Sequence, residues 1–179
     1  HLDTIELQPL AQGFVKNMVE EVLGGKPATE KMVGYIAERA DGIPLFVEEL
    51  TRMLKDQSYL VLEDGAYQLD HRLNTDLIPI TLKDLLNARL DGLGFAKETA
   101  QLAATIGRNF DYDLLVQSSI RDAASVQADL NQLMNADLIY RQRKVQNEGY
   151  IFRHALIRDA AYDSMTKALQ KDTHGRIAT

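Results

Sequence analysis

The apolar positions follow two different periods. From Ala11 to Leu23, Phe14, Val15, Met18, Val19, Val22 and Leu23 recur at helical spacing, and Gly24-Gly25 stop the run. Thr29 suits the N-cap of a second helix through Met32, Val33, Ile36 and Ala37. That helix ends near Asp41-Gly42, where glycine accepts the left-handed cap conformation. Ile43-Pro44 opens a third, because proline fits the first helical turn. Its apolar face is Leu45, Phe46, Leu50, Met53 and Leu54. Period-two alternation marks residues 4–10 as a short strand. It also marks residues 59–69 as two short strands around Glu63-Asp64-Gly65, since Asp-Gly between such runs signals a hairpin. Residues 70–80 are polar, contain Pro79 and read as a linker, so a boundary is expected within 58–80.

Beyond it the helical period returns. Thr81 caps a helix with Leu82, Leu85, Leu86, Leu90 and Leu93 on one side, ended by Gly92 and Gly94. A helix over 96–106 stops at Gly107, a short one covers 111–120, and a longer one covers 122–136 with Val126, Leu130, Leu133 and Met134 inward. Residues 138–143 and 150–153 read as strands around a turn at 146–149, and a final helix is predicted over 155–169 with Leu156, Ile157, Ala160, Ala161 and Met165 apolar. Helices followed by a two-stranded hairpin are the plan of a winged helix. The expected fold is therefore mainly α with a small β wing: a helical bundle, then a winged-helix domain.

At 179 residues the chain is long enough for one domain or two small ones. It has no Cys, which removes disulfides, Cys-ligated zinc and thiol nucleophiles. No apolar run nears the ~20 residues that span a bilayer. No basic-then-apolar leader opens the chain, so cytoplasm is the default compartment. The chain starts without Met, in mid-pattern, as a piece of a longer protein would.

The net charge of −6 is spread without an acidic or basic tail. The helix ahead of the wing, 122–136, would enter the major groove of DNA, where phosphates call for Lys or Arg. It has neither, and it carries Asp122 and Asp129, with Asp137 just beyond. Arg141, Arg143 and Lys144 give the wing a small basic spot, read as charge protecting an edge strand. No phosphate-cradling Gly-x-x-x-x-Gly-Lys-Ser/Thr loop is present, and the histidines at 1, 71, 154 and 174 have no metal-ligand spacing. No catalytic residue, metal ligand or stand-alone enzyme activity is therefore expected. A regulatory module, a DNA-binding winged helix and a plain interaction scaffold stay open on residues alone.

Four ordered stretches carry a resemblance. Ala40-Asp41-Gly42-Ile43-Pro44-Leu45-Phe46-Val47-Glu48-Glu49-Leu50 resembles the Gly-x-Pro-Leu stretch of STAND ATPases, signal-transduction relatives of AAA and NB-ARC proteins. Phe152-Arg153-His154-Ala155-Leu156-Ile157-Arg158-Asp159-Ala160-Ala161-Tyr162 resembles the end of their winged helix. Residues 80–93 and 103–110 lie between them and are similar to the same family, above all its bacterial members fused to class III adenylate or guanylate cyclases, kinases or transcription regulators.

The resemblance implies that residues 1–10 end an ATPase core whose P-loop lies upstream. Residues 11–58 would be its helical lid, 59–80 a hairpin and linker, 81–169 the winged helix, and 170–179 the start of tetratricopeptide-like repeats. ATP or ADP with Mg would be bound by the full protein, and none is implied for residues 1–179 alone. The implied partners are the core and repeats of the same chain, with homo-oligomerisation on activation and neither nucleic acid nor membrane. By resemblance Pro44 packs on the adenine of bound nucleotide, with Gly42 beside it in the binding set, and His154 meets the β-phosphate of ADP, with Arg153 beside it. Arg108 is a weaker phosphate or interdomain candidate. The family's Met-His-Asp triplet reads Arg153-His154-Ala155 here, without the Asp.

Overall fold

The structure is a computed structural model that describes residues 11–143 and 148–178. The strand expected over 4–10, Lys144 and residues 146 and 147 of the expected wing turn lie outside the described residues. The side chain of Arg143 lies outside them too. The fold is mainly α with small antiparallel sheets. It divides into two compact units after Leu85.

In the first unit α1 (Gln12–Val22), α2 (Glu30–Ala40) and α3 (Pro44–Asp56) pack together. The strand pair β1 (Leu60–Glu63) and β2 (Ala66–Leu69) follows. Met32, Val33, Ile36, Val47, Leu50 and Leu54 are fully buried, and burial of such side chains stabilises by about 1.5–3 kcal/mol each. Thr29 caps α2 through the Met32 amide, and Asp41 ends it in the left-handed conformation. Asp64-Gly65, both at positive φ, form the tight hairpin turn. Phe14, one of the periodic apolar residues of α1, is 62% exposed.

Residues 59–80 are not a free linker. Tyr59, Leu60, Tyr67, Leu69, Leu73 and Ile78 pack on the three-helix core, and a 3-10 turn at Thr75–Leu77 is tied to α2. The ties run from Arg39, whose guanidinium donates to the carbonyls of Ile78 (3.3 Å) and Thr75 (3.4 Å). The polar sequence hid this because a few spaced apolar residues suffice to seat the segment. The division falls instead within α4 (Leu82–Asp91), which Thr81 caps by accepting from the Asp84 amide (3.1 Å).

The second unit contains α5 (Phe95–Ile106), β3 (Asn109–Asp111), α6 (Tyr112–Ser118), α7 (Ala123–Asn135), β4 (Ile139–Arg143), β5 (Glu148–Phe152), α8 (Ala155–Asp163) and α9 (Lys167–Ile177). The sheet order β3-β5-β4, antiparallel throughout, and the helix–strand–helix–helix–strand–strand sequence make a winged helix. β3 adds a third strand to the predicted two, with Phe110 opposite Tyr150 in register and stacked on it at 5.8 Å. The single helix predicted over 155–169 is two. Ser164 closes α8, and the Thr166 hydroxyl accepts from the Leu169 amide (3.2 Å) to start α9. Residues 170–177 continue α9 within this unit, packed against α5 and α6, with Gln170 and Thr173 buried.

Candidate functional site

Gly42 and Pro44 occupy the α2–α3 junction. Asp41 (φ 46°) and Gly42 (φ 68°) take successive left-handed conformations, which turn the chain after α2 and bond the Ile43 amide to the Ala40 carbonyl (2.9 Å). Glycine meets the second of these at no steric cost. Pro44 then starts α3. The junction is outward-facing: Pro44 is exposed and Ile43 is 45% exposed. No side chain caps α3 at its N-cap residue, and its first turn carries no acidic residue. The partial positive charge of this helix end and its first amides therefore have no side-chain anion of that turn beside them.

His154 stands at a helix start of the second unit. It is the half-buried N-cap residue of α8, directly after β5, and its side chain does not cap the helix. Its carbonyl accepts from the Ile157 amide (3.1 Å). The first turn of α8 also lacks an acidic residue. α2, α6, α7 and α9 differ, being capped by Thr29, Asp111, Asp122 and Thr166. α1 shares the open form, so it is not unique to the candidate positions, whereas uncapped α5 carries Glu98 in its first turn.

Arg153 is turned toward the start of β4. Its guanidinium pairs with Asp137 (3.7 Å) and lies over the Tyr140 ring (5.9 Å), and its amide donates to the Leu138 carbonyl (3.0 Å). Arg108 is exposed, with its carbonyl accepting from the Phe152 amide. Gly42 and Pro44 thus adjoin one another in the first unit, and Arg153 and His154 in the second.

Sequence reasoning passed over a polar cluster in the second unit. Asp129 reads as a solvent charge on α7, yet it is 4% exposed. It accepts from the Thr99 hydroxyl (2.6 Å) and pairs with Arg121 (3.3 Å), whose guanidinium lies over the Phe95 ring at 4.6 Å. The one available signal was that Asp129 sits one position from Leu130 on the apolar stripe. Thr99 and Arg121 line a groove of about 490 Å³ between α5, the α6–α7 connection and α9. Its cations are engaged: Arg121 with Asp129, Arg176 with Asp172 (3.2 Å), and Lys97 with Asp91. The outer face of α7, with Ala124, Ala128, Asn131, Gln132 and Asn135 exposed, is neutral. No group of acidic or histidine side chains among the described residues could hold a metal ion.

Two carboxylates are held low. Bonds from the Arg72 guanidinium (2.8 Å) and amide (2.9 Å) bring Asp70 down to about 2. The Ser125 amide (2.8 Å) and hydroxyl lower Asp122 at its cap position.

Residues 15–68 match a family described as a domain of unknown function, DUF8739. The chain is similar to an uncharacterized protein of Rhizobium meliloti (strain 1021), 27% identical over 159 residues. That match takes in 85% of this chain but spans only 14% of the relative's length. No solved structure matches the chain.

Proposed function

We propose that this chain is the lid and winged-helix module of a STAND-type signalling ATPase. It closes over ADP or ATP held by a P-loop core and relays the nucleotide state to an output domain such as a cyclase, kinase or transcription regulator. It works in the cytoplasm, on the core and repeats of its own chain, and is not a catalyst by itself. The observation that carries this reading is the setting of its two key residues. Pro44 and His154, the positions matched by resemblance, each begin a helix whose first turn has neither a side-chain cap nor a carboxylate. Such helix ends favour phosphate, and exposed Pro44 beside Ile43 offers a rigid apolar surface for a base. The similarity to 14% of a much longer relative is what a module set among other domains would give.

A switch requires contacts that differ between its two states. His154 to the β-phosphate of ADP is the proposed differential contact, made in the closed state and broken on exchange to ATP. The neutral face of α7 supports a protein-facing winged helix, since DNA would demand cations there. The test is the nucleotide released by acid from the full natural protein, wild type against His154→Ala. Stoichiometric ADP in the wild type and its loss in the variant is the expected result. ADP retained equally by both would remove His154 from the switch, and nucleotide in neither would count against the ATPase reading.

A further inference from the structure

The β1–β2 hairpin has one covered edge and one open edge, and its register says which backbone groups face out. Glu63 and Ala66 close the two-residue turn as a hydrogen-bonded pair, so pairs alternate from there. Leu62 with Tyr67, and Leu60 with Leu69, are non-hydrogen-bonded pairs whose amides and carbonyls point away from the partner strand. Two observations check this phase. The Asp70 amide donates to the Tyr59 carbonyl (2.9 Å), as the inward phase requires. On the β2 side the outward groups of Tyr67 are taken: its amide donates to the Pro27 carbonyl (2.8 Å) and its carbonyl accepts from the Thr29 amide (2.9 Å). The chain's own extended segment at 27–29 thus adds to β2 as a short parallel strand.

On the β1 side the same phase aims the amides and carbonyls of Leu60 and Leu62 outward. No described strand pairs with them. Leu62 is 50% exposed, and Glu63 and Asp64 are exposed at the end of the edge. Residues 1–85 hold 15 acidic and 8 basic side chains, a net charge of −7. Two copies pairing along this edge would bring two such units together, whereas a cationic partner is drawn to it.

We propose that the outer edge of β1 is a docking edge for an extended lysine- or arginine-bearing segment of a partner protein. The segment adds as a strand through the outward groups of Leu60 and Leu62, with its cations beside Glu63 and Asp64. Such strand addition takes affinity from main-chain bonds and selectivity from side chains.

A fluorescein-labelled octapeptide of alternating lysine and valine, titrated by polarisation, tests it. Saturable binding that weakens with salt is expected, with no binding of the glutamate–valine counterpart. Leu62→Pro removes one outward amide and leaves the inward ladder of Val61 and Glu63 intact, a position where an edge strand tolerates proline. It should lower affinity about fivefold or more at an unchanged Tm. Methylating alternate peptide amides should abolish binding in one phase and spare it in the other, a readout independent of the protein's folding. Absence of saturable binding would overturn the proposal. So would equal binding by Leu62→Pro together with insensitivity to both methylation phases. A sedimenting dimer that Leu62→Pro dissociates would assign the edge to a second copy, and would overturn it as well.

Discussion

The two units solve the same packing problem with different means. The first joins its helices chiefly through apolar side chains, from Val15 and Val19 through Ile36 to Leu50 and Leu54, although α3 also buries Glu49. Its polar contacts stand mostly at the periphery, as in Lys16–Glu30 (2.7 Å) and Asp70–Arg72 (2.8 Å). The second threads hydroxyls, amides and a carboxylate through its helix seams. Thr99 meets Asp129, Gln101 meets Ser164 (2.9 Å), Thr105 meets Thr173 (3.2 Å), and Arg158 donates to the Ala104 carbonyl (2.8 Å). Charge divides the same way: −7 over residues 1–85 against 11 acidic and 12 basic side chains, net +1, over residues 86–179. Area-driven packing tolerates sliding of similar side chains, whereas directional bonds fix one alignment of α5 against α7, α8 and α9.

The largest effect belongs to the first unit. Leu50→Ala empties a fully buried site on α3 and should cost about 2–5 kcal/mol in urea unfolding. Hydrogen exchange should localise the loss to residues 11–85. In the second unit Asp129→Ala strands Thr99 and leaves Arg121 without its buried partner. About 2–3 kcal/mol is expected, since Arg121 is a quarter exposed and water screens part of the loss. Asp129→Asn keeps an acceptor for Thr99 and should recover part of it. Equal, small effects of both Asp129 variants would erase the contrast between the units.

The smallest effect sharpens the charge difference. Asp70 is held at about 2 by the hydrogen bonds of Arg72, below the ordinary carboxylate value near 4. Its contribution to stability is therefore full above pH ~4 and is lost as pH falls toward 2. Acid unfolding followed for wild type and Asp70→Asn should diverge above that window and converge within it.

Elements with a strong local signal were legible in the sequence. The helical stripes, the Thr29 and Thr81 caps and the Asp64-Gly65 turn depend on neighbours within a few residues. β3 was not legible, because three residues carry no period and its partner β5 lies some forty positions on. Neither was the break at Ser164–Thr166, where apolar spacing continues while a threonine cap restarts the helix. Asp129 was hidden because a charge on a helix reads as solvent unless its partners on α5 and the α6–α7 connection are known. At the candidate site the helix starts of Pro44 and the strand–helix step at His154 could be read from residue type. The turning of Arg153 toward Asp137 and Tyr140 could not, since it depends on the left-handed Asp137 turn between α7 and β4.

The proposed function places the α2–α3 junction against the base of a bound nucleotide. Photolabelling of the full natural protein with 8-azido-ADP, followed by tryptic mapping, tests it most directly. Label is expected on the peptide spanning residues 40–52, which contains Pro44, with loss of that label when excess ADP competes. Label confined to other peptides, or label at 40–52 that ADP does not displace, would contradict it.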